Sequence, residues 1–252
     1  MLRSFGVVLC LTLVLSLFVI EEGRTGSFNV TPLKIVLSGK SSSALLEVTN
    51  QAPEAVRLQL SVSAWDQSPA GDIQLSATED IVLFPPLLTV EPGETRKIRL
   101  GAVTPRAASE KTYRVVLEEL PPAKSAASGP GEIRVLTRMT IPVFLEPQRV
   151  VSSGQIEGVQ LRNRTASFQI RNTGNAHFVP RDIRVIGKGD GGKTLGTHEV
   201  NGWYILAGGI RRYEVSLSDD ECRRIKSLVV EANLEGGPLK GEADVRSDGC
   251  TH

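Results

Sequence analysis

The segment "EAVRLQLSVSAW" (54–65) sets the pattern for the whole chain. Val56, Leu58, Leu60, Val62 and Ala64 alternate with Arg57, Gln59, Ser61 and Ser63. A strict period of two buries one face of a strand and leaves the other wet. Shorter runs of the same kind are "ALLEVTN" (44–50), "DIVLFPP" (80–86), "TRKIRLG" (95–101), "TYRVVLEEL" (112–120) and "EIRVLTRMTIPVF" (132–144). The turn signals "NQAPE", "SPAGD", "EPGE" and "SGPGE" separate them. No run before residue 150 has the 3.6-residue repeat of a helix of ordinary length. Short strands at this spacing predict an antiparallel β-sandwich.

Past "EPQRVVSSG" (146–154) the pattern restarts with "TASFQIRNTGN", "HFVPRDIRVIG", "NGWYILAGG", "IRRYEVSL", "SLVVEANLE" and "LKGEADVRS". The expected fold is therefore all-β, with two β-sandwich domains over 28–146 and 147–252, each of ordinary domain size. Only "SDDECRRIK" (218–226) has helical character, for about one turn.

The first twenty residues alter the setting. Arg3 precedes an apolar run from Phe5 to Ile20, and the small residues Thr25 and Ser27 suggest cleavage before Phe28. This reads as a signal peptide over 1–27, with an uncleaved anchor as the alternative. No second apolar run of that length follows, so the mature chain is expected to be exported, with no stable membrane insertion. It then keeps two cysteines, Cys222 and Cys250, which in an oxidising compartment read as one disulfide. Two free thiols are the alternative, because spacing alone cannot bring their Cβ atoms together.

Charge and motifs exclude more than they suggest. The 252 residues carry 29 basic and 28 acidic side chains, a net +1, so no nucleic-acid partner is indicated. "GKGDGGKT" (187–194) spells a phosphate-binding loop. Such a loop must open a helix, whereas "LGTHEVNGWYILAGG" after it reads as extended chain, so a glycine-rich hairpin is expected and no nucleotide. The three histidines, His177, His198 and His252, have no carboxylate or cysteine at metal-ligand spacing. No nucleophile elbow is present, and Glu118–Glu119 and Asp219–Asp220 are sequence neighbours that point to opposite faces of an extended chain. Neither an enzyme, a metal nor a cofactor is expected. "NRT" (163–165) has the form of a glycosylation acceptor, a pattern common by chance.

The segment 132–144 is long for a strand and apolar on both faces. Ile133, Val135, Thr137, Met139, Ile141 and Val143 share one face, and Arg134, Leu136, Arg138, Thr140, Pro142 and Phe144 the other. Pro142 cannot donate to a ladder, which marks a sheet edge, a bulge or a strand end. A long apolar edge aggregates unless another chain covers it, so the segment reads as a strand awaiting a partner by β-augmentation. An ordinary core strand is the alternative.

The first domain resembles the PapD-like periplasmic chaperones of pilus assembly. The resemblance rests on "FNVTPLKIVLSGKSSSALLEVTNQ", "VRLQLSVSAWDQ", "FPPLLTVEPGETRKIRL", "EKTYRVVLEELPP" and "RMTIPVF", which run in order over about 28–147. It implies two immunoglobulin-like domains in a boomerang, binding pilin-like or coat-protein subunits that lack their final strand. The donor strand would present Ile133, Val135, Thr137, Met139 and Ile141, with Thr137 a weak contact. Subunits would pass to an outer-membrane usher, and the location would be the periplasm. In well-known members an arginine on the first strand and a lysine on the donor strand anchor the subunit's C-terminal carboxylate. Those positions fall on Lys34 and Pro142, so the second anchor is missing. "TYRVVLEELP" and "RMTIPVF" look like the archaic branch, where the anchors would be Arg114 and Arg138. A secreted immunoglobulin-like adhesion or structural protein is the alternative function.

Overall fold

The computed structural model describes residues 28–121, 135–245 and 250. The first domain holds β1 (Phe28–Thr31), β2 (Ile35–Leu37), β3 (Ser43–Asn50), β4 (Val56–Gln67), β5 (Ile73–Ala77), β6 (Ile81–Phe84), β7 (Leu87–Val90), β8 (Thr95–Ala102), β9 (Lys111–Leu120) and β10 (Arg138–Leu145). One sheet has the order β1-β3-β8-β6; the other runs β2-β10-β9-β4-β5, with β7 also on β4. The alternation in β4 acts as expected: Val56, Leu58 and Leu60 enter a core with Leu46, Val48, Ile98, Leu100, Val115 and Val143. Tyr113 is buried in that core, and its hydroxyl donates to Asp80 at 2.7 Å, a carboxylate also held by Lys111 at 3.1 Å.

The second domain follows with β11 (Gly154–Arg162), β12 (Thr165–Asn172), β13 (Arg181–Lys188), β14 (Thr194–Val200), β15 (Ile210–Ser216), β16 (Ser227–Leu234) and β17 (Gly237–Asp244). Its sheets are β11-β12-β15 and β14-β13-β16-β17, closed over Phe168, Ile170, Ile183, Val185 and Val230. "GKGDGGKT" is the hairpin between β13 and β14. Gly191 and Gly192 turn it at positive φ and Gly189 N–H donates to the Lys193 carbonyl, with no helix behind it. The helical turn is α1 (Asp219–Arg224), capped by the Ser218 side chain, which accepts from Glu221 N–H. Cys222 in α1 is bonded to Cys250.

Each domain contains the same device at the end of a strand. Asn50 donates to the Glu54 and Val90 carbonyls and accepts from Ala52 N–H. Asn172 donates to the Ala176 and Ile205 carbonyls and accepts from Gly174 N–H. Both amides are buried, so they satisfy turn groups that water cannot reach.

Two sequence expectations change. Trp203 and Tyr204 are not in a strand: only Ile205 makes a bridge, to Phe178, because the chain there is shared between domains. The segment read as one strand over 132–144 pairs only from Arg138 onward among the described residues, since Val135–Thr137 have no continuous ladder. The expected signal peptide, 1–27, lies outside the described residues, among which no helix is long and apolar enough to cross a membrane.

Candidate functional site

One face of the first domain's larger sheet looks away from its core. By strand alternation it carries Ser61, Ser63 and Trp65 from β4, Thr112, Arg114, Val116 and Glu118 from β9, and Arg138, Thr140, Pro142 and Phe144 from β10. The register sets Arg114 between Ser63 and Pro142, and Glu118 beside Arg138.

Arg114 is the unusual residue there. It is only 5% exposed. Its guanidinium lies 4.0 Å over the Trp65 ring, and Nη1 donates to Thr140 Oγ1 at 3.0 Å. Nε and Nη2 are buried with no hydrogen-bond partner, as is Trp65 Nε1. Burial pulls the guanidinium below its ordinary pKa, an effect opposed by the neighbouring Tyr204. Among the described residues no carboxylate pairs with the charge. Buried donors without acceptors cost about 1–3 kcal/mol each, so a cluster of them calls for a functional explanation.

Beside Arg114 the described residues leave the sheet edge open. β10 pairs antiparallel with β9 along its whole length, but among the described residues its other edge is covered only at Val143–Leu145, by β2. Thr137 C=O accepts from Glu119 N–H at 2.9 Å, so the backbone groups of Thr137, Met139 and Ile141 turn toward β9. Those of Arg138 and Thr140 then turn outward. Pro142, which has no N–H, sits on the same outward side, where none is needed.

The second domain covers the other end of this face. Trp65, Phe144 and Leu206 form a buried cluster with Tyr204 against it. His177 stacks on Phe144 with ring centroids 3.5 Å apart. The Glu110 carboxylate accepts from His177 N–H at 2.8 Å and contacts its Nδ1 at 2.9 Å. Gln67 donates to the Tyr204 carbonyl at 2.9 Å.

The residues expected from sequence are distributed as follows. Arg114 and Arg138 share the face but are not brought together: Arg138 opposes Glu118, four positions along the strand from Arg114, about 13 Å of extended chain. Arg138 is exposed and paired with Glu118 at 3.0 Å. Lys34 is exposed at a cleft between the domains, with Val36, His177 and Arg181. Val135 is 82% exposed, Thr137 and Met139 are partly buried, and Ile141 is buried in the domain's own core. Ile133 lies outside the described residues. Sequence reasoning missed Trp65, Thr140, Tyr204 and the His177–Glu110 contact. Trp65 left a trace: by period two it falls on the wet face of β4, where a buried indole needs a cover from elsewhere. Among the described residues no group of His, Cys, Asp and Glu could hold a metal.

Residues 27–151 match the family model for the N-terminal domain of PapD, described as a pili and flagellar-assembly chaperone. No curated protein matches the chain. Solved structures of similar fold include a chain of the CsuC–CsuE chaperone–tip adhesion subunit pre-assembly complex, from the archaic chaperone–usher Csu pili of Acinetobacter baumannii. It is 15% identical, with 87% of this chain and 98% of that one covered and a TM-score of 0.58. The class 5 fimbriae chaperone CfaA is 18% identical over 85% of this chain and 98% of its own, with a TM-score of 0.56. A chain of the Salmonella enterica SafA pilin–SafB chaperone complex is 15% identical over 86% and 97%, also with a TM-score of 0.56. The chain belongs to the PapD-like assembly chaperones, a membership carried by its first domain.

Proposed function

We propose that the chain is a periplasmic chaperone of the archaic chaperone–usher type, which binds strand-deficient pilin or coat subunits by donor-strand complementation and delivers them to an outer-membrane usher. The observation that carries this reading is the outer edge of β10, left open by the described residues, beside the buried, unsatisfied guanidinium of Arg114. The edge offers the backbone groups of Arg138 and Thr140 to a subunit strand, and such pairing supplies affinity without chemistry. The side chains offered to the subunit's groove are Ile133, Val135, Thr137 and Met139. Ile141, rooted in the core, fixes the register of the rest. Covering one valine-sized side chain contributes about 1.5–3 kcal/mol. Arg114 receives the subunit's terminal carboxylate through charge-assisted hydrogen bonds. Arg138 can serve as a second anchor once it leaves Glu118, and Lys34 is the weaker candidate. Release follows when the next subunit's extension replaces the donor strand at the usher. The solved complexes of similar fold, one with a tip adhesion subunit and one with a pilin, support this choice of partner.

The test is isolation of the mature protein from its native periplasm, with mass spectrometry of what co-elutes. The expected result is a one-to-one complex with a small secreted β-protein, lost in Arg114→Ala and in Val135→Asp. A lone monomer in cells that are building their surface fibres would return the chain to a structural role.

A further inference from the structure

Arg114 is not the only unsatisfied donor on this face. Trp65 is 3% exposed and its indole N–H has no acceptor. In most proteins a buried indole N–H finds a partner. The ring it belongs to is the one on which the Arg114 guanidinium stacks at 4.0 Å. Three donor nitrogens without acceptors, Arg114 Nε, Arg114 Nη2 and Trp65 Nε1, therefore lie in one stacked pair of side chains. Thr140 holds the guanidinium from one side through Nη1. The Tyr204 ring meets Trp65 edge-on, with centroids 5.8 Å apart, and Gln67 holds the Tyr204 backbone in place.

We propose that Trp65 is a second binding residue for the subunit's terminal carboxylate: one oxygen accepts from the Arg114 guanidinium and the other from the Trp65 indole N–H. This rests on the reading of Arg114 as the carboxylate anchor. A carboxylate has two oxygens with about four lone-pair sites, enough to satisfy all three donors at once. A neutral ligand would leave part of the cluster unanswered, and a cation would be repelled. The site is closed in the free protein. Tyr204 of the second domain covers the pair, so entry of the carboxylate moves the Tyr204–Leu206 segment aside. The unpaired donors favour that opening, because the closed state leaves them without acceptors.

The indole proton itself reports the outcome. Trp203→Phe removes the other indole from an exposed position, leaving Trp65 as the single indole N–H signal in a nitrogen–proton NMR spectrum. The full chain is titrated with N-acetylglycine, which carries a peptide-type terminal carboxylate, and separately with N-acetylglycinamide, which lacks the charge. The expected result is a saturable downfield shift of the Trp65 indole proton with the acid alone, together with a shift of the Arg114 Nε–H signal, both lost in Arg114→Gln. If the Arg114 signal moves while the Trp65 signal stays fixed, Trp65 is not a carboxylate ligand and the Arg114 anchor stands. If neither signal moves, both assignments fall.

Discussion

Replacing Arg114 by methionine separates binding from stability. Methionine keeps an unbranched apolar stem against Trp65 and removes every donor. The substitution eliminates two buried donors that have no acceptor, which relieves about 2–6 kcal/mol at about 1–3 kcal/mol each. It also removes the charged hydrogen bond to Thr140, about 1.5–3 kcal/mol, and the stack on Trp65, about 1–2 kcal/mol. The two sums nearly cancel. Urea unfolding followed by tryptophan emission is therefore expected to place Arg114→Met within about 1 kcal/mol of wild type, while subunit capture is lost. Breaking a buried ion pair would instead cost about 3–5 kcal/mol. A destabilisation in that range would mean that the guanidinium is a structural cation, and the reasoning from its unpaired donors would be refuted.

Three further outcomes follow from the packing. Burial, then the hydrogen bond to Asp80, pushes the Tyr113 hydroxyl well above the ordinary tyrosine range. The unfolded chain then ionises first, so this stability is complete below about pH 10 and declines as pH rises above it. Tyr113→Phe should flatten that alkaline decline in melts at stepped pH, at a cost of about 1 kcal/mol near neutrality. Reducing Cys222–Cys250 opens a link across 28 residues and should destabilise the second domain by roughly 3.5 kcal/mol, seen as a lower melting transition in reductant while the first domain's transition holds. A Cβ at Gly202 would collide with the Pro180 carbonyl oxygen, so Gly202→Ala should lower the melting temperature by the equivalent of about 1–3 kcal/mol.

Much of the fold was legible because its strands obey local rules. β4 declared its buried face through Val56, Leu58 and Leu60, and β12 did so through Ala166, Phe168 and Ile170. What escaped lacks such a period. β2 is three residues long, and β11 slips register at a bulge beside Gly158. Phe144 and Trp65 were on the faces that alternation assigns them, but their burial depends on Leu206 and Tyr204, sixty or more residues away in the chain. The candidate site was partly legible for the same reason. Alternation placed Arg114 outside the core of its domain, but which residues cover it is decided by the second domain. Arg138 is held by Glu118 through register, which the two segments separately do not specify.

The central claim is that the outer edge of β10 pairs with a subunit strand. Hydrogen exchange at single amides, in the free protein and in the complex purified from the periplasm, tests it most directly. The outward amides of Arg138 and Thr140 are expected to exchange fast when free and to become protected in the complex, while Met139 and Ile141, bonded to β9, stay protected in both. Fast exchange at Arg138 and Thr140 in a complex that holds a subunit would contradict donor-strand pairing at this edge.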